Sequence, residues 1–329
     1  MKYYLKKCGY QELGSVDTSG RPQRGRYLLT SMNEDILSFF PPLSTAQLND
    51  SALLPIIPFY TEKKVYCNYV YHNDKYHGST AVHPRNEYRI YLNRELEDDV
   101  LKFVTDDIIV MRQAEIDGEN GEKQLVYLLD LLQDHSTSEY KQCAEIVENY
   151  PIHGGYGLFE GVLSFFEMKA ETLLARDEVP VVIDQAVTKM IEKTSTETLA
   201  SLFNAATFRD FVMAGYEHLC AITGTVIRYE SYINLEAAHI KPKSHGGLLL
   251  PNNGMALSRD LHWAFDKGFF TLNENLEVIV HPNTTSDFLR GFHGRKIRLP
   301  SNPFFIPDLK NVKYHNEVVF GLFKTTGRL

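Results

Sequence analysis

Residues 1–165 alternate short apolar runs with turn residues, which is the pattern of a β-rich domain. Runs rich in β-branched and aromatic residues predict strands at 25–30, 64–71, 88–92, 107–111 and 124–129. Residues 117–121 predict a hairpin loop between the last two of these strands. The apolar spacing of residues 138–149 predicts a helix. Together these features favour a compact β-barrel with one or two flanking helices.

The pattern changes to helical spacing in the middle of the chain. Residues 168–176 and 183–193 have apolar side chains at helical intervals. We therefore expect a helical connector over residues 166–205, between a β-rich domain at 1–165 and a second domain at 206–329. The predicted fold class is α+β with two domains.

The second domain contains a predicted strand, a return strand and a helix in succession. Residues 233–240 are short, apolar-rich and followed by a Gly-Gly turn. Residues 252–254 read Asn-Asn-Gly, a second turn signal, before the return strand. Ser258 suits a helix N-cap and Gly268 a helix end, which predicts a helix over 259–267.

Three polar residues on this segment have the chemistry of phosphodiester hydrolysis. His239, Asn253 and His262 are separated by 14 and 9 positions, and Asp266 lies four residues beyond His262. Residues four apart share a helix face, so His262 and Asp266 can share a divalent cation such as Mg, Mn, Ni or Zn. A neutral imidazole with a pKa of about 6.5 can take a proton from water. An amide can pin the loop between two strands, so the order of these groups is what a one-metal nuclease needs.

Each of these residues also has a plainer interpretation. His239 alone would more often be a buried core histidine, but its register with the other two polar residues favours a site. Lys241 and Lys243 could hold the phosphates that flank a scissile bond, or could be ordinary surface charges. Trp263 and Phe265 are expected to pack as core.

The motifs around these residues resemble those of HNH, or ββα-metal, endonucleases. The matching segments are Ala-Ala-His-Ile-Lys-Pro at 237–242, Asn-Gly-x-x-Leu at 253–257 and Leu-His-x-x-Phe-Asp-x-Gly-x-Phe at 261–270. The similarity spans approximately residues 200–320. It implies a ββα-metal nuclease domain, and a metal-dependent endodeoxyribonuclease that uses one divalent ion. We expect Mg²⁺, with Mn²⁺, Ni²⁺ or Zn²⁺ as alternatives.

The resemblance also implies individual roles. His239 corresponds to the general base, Asn253 to the loop brace, His262 to a metal ligand and Asp266 to a second ligand. One position departs from the family, because many HNH enzymes bind the metal through the residue just before the base, which here is Ala238. The ligand set is then completed by Asp266, Glu236 or water.

The N-terminal part resembles a second kind of domain. Segments 24–31, 39–44, 86–92 and 106–112 are similar to the DNA-recognition pseudo-barrel of EcoRII-type restriction enzymes. That resemblance implies selective binding of duplex DNA through loops that enter the major groove, where base edges are distinguishable. The candidate DNA contacts are Arg21, Arg24, Arg26, Tyr71, Asn73, Lys75 and Tyr76. For any one of them, a solvated loop residue is the alternative.

Composition narrows the class of protein. The 329 residues are 43% hydrophobic and 23% charged, which is typical of a folded domain pair. No apolar run approaches the ~20 residues that span a bilayer. The N-terminus lacks the features of a signal peptide, and four widely spaced cysteines suggest no disulfide framework. We therefore expect a cytoplasmic protein without a membrane partner.

The net charge of −8 is unevenly distributed. Residues 201–329 hold 14 Lys and Arg against 11 Asp and Glu, whereas residues 79–200 hold 11 against 24. The acidic residues are thus concentrated outside the predicted nuclease domain, which permits DNA contact at selected faces.

These observations lead to one hypothesis and two alternatives. The hypothesis is a site-specific DNA endonuclease of a restriction–modification system, acting on double-stranded DNA as a homodimer. A modification-dependent or effector-gated HNH nuclease is the first alternative. A non-catalytic DNA-binding regulator is the second.

Overall fold

The computed structural model describes most of the chain. The described residues are 1–12, 27–74, 86–92, 103–117, 123–176, 179–183, 187–188, 191, 199, 201–229 and 232–325. Contacts divide the chain into an N-terminal unit, Met1–Lys189, and a C-terminal unit, Met190–Leu329. The division falls within residues 166–205, where the connector was predicted.

The N-terminal unit is built on one mixed β-sheet. Its strands are β1 (Lys2–Lys7), β2 (Tyr27–Thr30), β3 (Ser51–Pro58), β4 (Lys64–His72), β5 (Glu87–Tyr91), β6 (Ile108–Asp117), β7 (Lys123–Leu132), β8 (Tyr156–Glu160) and β9 (Val181–Val182). Neighbouring strands follow the order β2-β5-β4-β3-β7-β6-β1-β8, with β9 beside β4. The β3–β7 and β4–β9 pairs are parallel. Within the described residues β2 and β8 do not pair, so the predicted barrel is a curled half-barrel.

Five of these strands occupy the runs that the sequence predicted, namely β2, β4, β5, β6 and β7. β6 and β7 pair antiparallel up to Asp117 and Lys123, as expected for a hairpin. The tip of that hairpin, 118–122, lies outside the described residues. The pattern did not predict β1, β3, β8 or β9.

Both faces of the sheet are covered by apolar clusters. Side chains along a strand alternate between the two faces, so a single strand contributes to both clusters. In β1, Tyr4 packs into one apolar cluster, while Tyr3 and Leu5 pack into another on the opposite face. Two helices, α2 (Ser138–Asn149) and α3 (Ser164–Leu174), contribute side chains to this second cluster. α2 coincides with the helix predicted at 138–149, and its N-cap Thr137 accepts a hydrogen bond from the backbone of Tyr140. The short helix α1 (Glu34–Leu37) contributes to the first cluster.

Strand β1 also carries a buried charge. The Lys6 ammonium lies 3.0 Å from the Glu12 carboxylate, and both side chains are 3% exposed. Lys6 donates a further hydrogen bond to the Gly154 carbonyl at 2.6 Å. These partners satisfy a charge that would otherwise be costly to bury.

The C-terminal unit is a smaller assembly of helices and two-stranded ribbons. Its elements are α4 (Ala205–Gly215), β10 (Arg228–Tyr229), β11 (Tyr232–Ile233), β12 (Leu235–His239), β13 (Gly254–Ser258), α5 (Arg259–Asp266), β14 (Phe270–Leu272), β15 (Val278–Val280), α6 (Asp287–Arg290) and α7 (Leu309–Tyr314). One apolar core joins α4, β12, β13 and α5 to β14 and β15. Among the described residues, no helix is both long and apolar enough to cross a bilayer.

Candidate active site

β12, β13 and α5 form one continuous strand–strand–helix unit. The two strands pair antiparallel, with Leu235 opposite Ser258 and His239 opposite Gly254. α5 follows β13 directly, with Ser258 as its N-cap, although the serine side chain makes no capping hydrogen bond. α5 packs on both strands. This unit brings His262 on the helix close to the end of the first strand.

Asn253 holds the loop that joins the two strands. Its side chain is buried, its Oδ1 accepts from the Lys241 backbone N–H at 2.8 Å, and its Nδ2 donates to the carbonyls of Lys241 and Leu248 at 3.1 and 3.0 Å. The Asn253 backbone carbonyl accepts from Ile240 at 2.8 Å. One amide therefore satisfies backbone groups from both halves of the loop and fixes its exit from β12.

His239 lies at the end of β12 with its ring packed on an aromatic side chain. Phe208 of α4 stacks on it at 4.3 Å between ring centroids and 18° between planes. Its Nε2 is buried and has no hydrogen-bond partner among the described residues. Burial, with His262 and Lys243 nearby, lowers the pKa of His239 to about 4. At neutral pH the imidazole is thus uncharged and able to accept a proton.

His262 lies between two carboxylates. Its Nδ1 is 2.7 Å from Oε2 of Glu236, and its Nε2 is 3.4 Å from Oδ2 of Asp266. The other Glu236 oxygen is 3.3 Å from Nε of Arg259. Burial raises the pKa of Asp266, partly opposed by His262 and Lys267.

These donors are of the types that suit a divalent cation. Two carboxylates and two imidazoles provide oxygen and nitrogen ligands for a hard or borderline ion. Within the described ranges, no three His, Cys, Asp or Glu side chains are already arranged around a common ion position. The Nε2 of His239 is buried without a hydrogen-bond partner among the described residues, and such an unpaired polar atom is a feature of functional sites.

The two lysines predicted as phosphate contacts follow His239 on the braced loop. Lys243 is exposed, and its charge acts on His239. The Lys241 ammonium lies 4.8 Å from the centroid of the Tyr314 ring, and the exposed His245 ring meets the same tyrosine at 5.9 Å. The structure therefore places positive charge next to the candidate base.

The predicted DNA contacts of the N-terminal unit have a different outcome. Tyr71 and Asn73 are 4% and 0% exposed. The Tyr71 hydroxyl accepts from Asn86 at 2.7 Å, and the Asn73 amide bonds to the Asn49 N–H and the Gln47 carbonyl. The prediction that Tyr71 and Asn73 contact DNA does not fit this structure. Both side chains are buried and already hydrogen-bonded within the N-terminal unit. The remaining candidates, Arg21, Arg24, Arg26, Lys75 and Tyr76, lie outside the described residues.

Three further residues of the site differ from what the sequence predicted. Phe265 is buried as expected, but Trp263 is 49% exposed and stacks with one face on Phe269 at 5.4 Å. Phe208 was not predicted as a site residue, since its stacking on His239 joins positions far apart in sequence. Glu236 was named only as one possible ligand. The sequence feature that could have identified Glu236 as a site residue is its position three residues before His239 on the same predicted strand.

Comparison with known proteins agrees with this geometry. The family model described as HNH endonuclease matches residues 220–273, which include every residue of the His262 cluster. This part of the chain is therefore an HNH endonuclease domain. No curated protein is significantly similar in sequence.

A solved structure titled "Modification dependent TagI restriction endonuclease" shares 17% sequence identity with the chain, over 77% of this chain and 61% of that one. The chain thus spans less than two thirds of that neighbour, and the TM-score of 0.27 does not indicate a shared overall fold. The resemblance of the N-terminal part to EcoRII-type domains has no support in these comparisons and stays a prediction.

Packing around Gly254 yields the first testable prediction. A Cβ at this position would lie 2.4 Å from Val212 Cγ2 and 2.8 Å from Phe208 Cζ. Because Phe208 stacks on the His239 ring, Gly254→Ala should displace both rings. We expect the variant to be less stable than the wild type by about 1–3 kcal/mol. Thermal unfolding measures the loss. Gly291→Ala is the matched control, since its Cβ would meet only ordinary contacts of 3.4 and 3.5 Å. Equal stability of the two variants would contradict this packing.

His315 predicts how stability depends on pH. The ring is buried, with Nδ1 2.9 Å from the Thr271 hydroxyl and Nε2 3.1 Å from the Phe265 carbonyl. Since a carbonyl only accepts, Nε2 carries the proton and Nδ1 accepts from Thr271. Burial lowers the pKa of His315 to about 4, against a hydrogen bond to Phe265 that raises it.

The folded state then binds fewer protons than the unfolded state, in which the histidine pKa is about 6.5. The contribution of His315 to stability is complete above that pH and is lost as the pH falls toward 4, at up to about 1.4 kcal/mol per pH unit. Urea unfolding followed by the single tryptophan, Trp263, measures this loss. His315→Gln should flatten the dependence, whereas His245→Gln, at an exposed position, should leave it unchanged. A His315→Gln profile parallel to the wild type would refute the assignment.

Proposed function

We propose that this protein is a site-specific DNA endonuclease that hydrolyses phosphodiester bonds with one divalent ion and a histidine general base. The observation that carries the proposal is that one strand–strand–helix unit carries both His239 and the Glu236–His262–Asp266 cluster, with His262 near enough to His239 to lower its pKa. The HNH family match over the same residues supports it.

His239 is the proposed general base. Its Nε2 takes a proton from a water molecule as the water oxygen attacks phosphorus. The bond from phosphorus to the leaving 3′ oxygen then breaks. A neutral imidazole is required for this step. Burial lowers the pKa of His239 to about 4, which favours the neutral ring and also makes it a weaker base than a free imidazole.

His262 and Asp266 are the proposed metal ligands. A divalent ion bound there would act as a Lewis acid toward the phosphate and the departing oxygen. The carboxylate favours Mg²⁺, while the imidazole also admits Mn²⁺, Ni²⁺ or Zn²⁺. Asn253 takes no part in bond making; it holds the loop so that His239 stays in register with the helix.

Substrate binding is proposed to use both units. Lys241 and Lys243 hold the phosphates next to the scissile bond. The N-terminal unit would select the duplex sequence, with Arg21, Arg24 and Arg26 as the candidate contacts. One active site cuts one strand, so a double-strand break requires two copies, and we propose a homodimer. The four cysteines are buried and form no disulfide bond, which agrees with the proposed cytoplasmic location.

Plasmid cleavage tests the proposal. Wild-type protein is incubated with a methylated and an unmodified plasmid in Mg²⁺, Mn²⁺ or Ni²⁺, with a chelator as control, and the ends are sequenced. We expect discrete fragments from unmodified DNA, with ends that map to one short sequence. Fragments from methylated DNA alone would replace the proposal with a modification-dependent nuclease. No cutting with any ion would overturn it in favour of a DNA-binding regulator or an effector-gated enzyme.

A further inference from the structure

Both oxygens of the Glu236 carboxylate are engaged by residues of α5. Oε2 is 2.7 Å from Nδ1 of His262, and Oε1 is 3.3 Å from Nε of Arg259. The first distance is that of a charge-assisted hydrogen bond. Glu236 is 32% exposed and Asp266 is 53% exposed, so Glu236 is the more enclosed of the two acids next to His262.

The contact with Glu236 determines where His262 carries its proton. An ionised carboxylate only accepts hydrogen bonds, so the 2.7 Å contact requires a proton on Nδ1. In a neutral imidazole the other ring nitrogen, Nε2, then has a free lone pair. Nε2 lies 3.4 Å from Oδ2 of Asp266. Two acceptors at this distance make no hydrogen bond with each other, and a cation bound by both resolves the mismatch.

We propose that Glu236 is a positioning residue, which holds His262 in the Nδ1–H tautomer so that Nε2 and Asp266 together take the divalent ion. This inference rests on the function proposed above and assigns to Glu236 a role that is distinct from the metal ligands. With alanine at position 238, β12 then supplies no ligand from this face, and His262 and Asp266 are the proposed protein ligands. Positions 236 and 238 lie on the same face of β12, about 7 Å apart along the strand. Ala238 is fully buried in the apolar core, whereas Glu236 reaches the helix.

Arg259 has a supporting part in this arrangement. It lies three residues before His262, so both residues reach Glu236 from one side of α5. With one oxygen 3.3 Å from Arg259 and the other 2.7 Å from His262, the carboxylate is held at two points, so binding an ion would compete with contacts that it already makes. Asp266, by contrast, is the more exposed acid, at 53% against 32% for Glu236. The geometry thus separates the acid that orients from the acid that binds.

Two variants of Glu236 separate positioning from ligation. Glu236→Gln keeps an oxygen that accepts from Nδ1–H, whereas Glu236→Ala removes it. Mn²⁺ affinity of the full chain is measured by calorimetry and by quenching of Trp263, without DNA. We expect Glu236→Ala to weaken Mn²⁺ binding about 10- to 100-fold, as losing the partner of a liganding histidine does. Glu236→Gln should stay close to the wild type, and so should Glu274→Ala, a control at an exposed acid of the same unit.

A second readout needs neither metal nor DNA. Nitrogen-15 NMR of labelled histidines at pH 8 reports the tautomer, with the His262 signals assigned by their loss in His262→Gln. In the wild type and in Glu236→Gln, His262 should carry its proton on Nδ1. In Glu236→Ala, it should show a mixture of the two tautomers or the Nε2–H form. Asp266→Ala should bind Mn²⁺ more weakly, while His262 keeps the Nδ1–H tautomer.

Three results would overturn the inference. Equally weak Mn²⁺ binding in both Glu236 variants would make Glu236 a ligand. Unchanged Mn²⁺ binding in Glu236→Ala, or an unchanged His262 tautomer in that variant, would remove the positioning role. If the Glu236 variants behave as expected but no variant or wild type cuts DNA, the nuclease function fails while the role of Glu236 stands.

Discussion

The buried amide of Asn253 spans the loop between β12 and β13 with three hydrogen bonds, two to Lys241 and one to Leu248. A slip of one residue between two strands would turn every side chain to the opposite face. By fixing the loop, the amide fixes the register in which His239 lies opposite Gly254. Because α5 continues directly from β13, the same register decides which helix residue meets Glu236. The positions of the base and of the ligand cluster therefore both depend on one side chain.

Two histidines of the C-terminal unit have similar pKa values but different hydrogen bonding. His239 and His315 both have pKa values lowered to about 4, chiefly by burial. The nitrogens of His315 are both satisfied, by Thr271 and by the Phe265 carbonyl, as expected of a residue that stabilises the fold. The Nε2 of His239 is buried and unpaired among the described residues. A buried polar atom without a partner costs about 1–3 kcal/mol, a cost that a fold tolerates where the atom serves in chemistry.

Much of the candidate site could be predicted from the sequence, because its residues lie close together along the chain. The strand, turn, strand and helix from 235 to 266 follow local signals, and the four-residue spacing of His262 and Asp266 places them on one face. What could not be predicted depends on tertiary contacts. The stacking of Phe208 on His239 joins two separate elements, and the tight bond of Glu236 to His262 depends on how α5 crosses β12. Trp263 was expected in the core, yet half of it is exposed, since hydrophobic character alone does not determine burial.

In the N-terminal unit too, features with a local sequence signal were predicted and those that depend on tertiary contacts were not. The strongly β-branched runs became strands, but β1 was missed because its three lysines concealed the alternation. Lys6 is nonetheless buried against Glu12, a pairing that no local pattern reveals. β3 was missed because its two prolines normally argue against a strand. Tyr71 and Asn73 looked like loop contacts, but the side chains bond inward to the Asn86 amide and the 47–49 turn.

The central claim is that His239 carries out proton abstraction at a metal-dependent nuclease site. The most direct test compares wild type with His239→Ala for the conversion of supercoiled plasmid to open circles in Mg²⁺ or Mn²⁺, alongside DNA binding measured by gel shift. We predict that the variant binds DNA with wild-type affinity while its nicking rate falls by about 10²- to 10⁴-fold, the usual contribution of a general base. Nicking at the wild-type rate by His239→Ala would contradict the account.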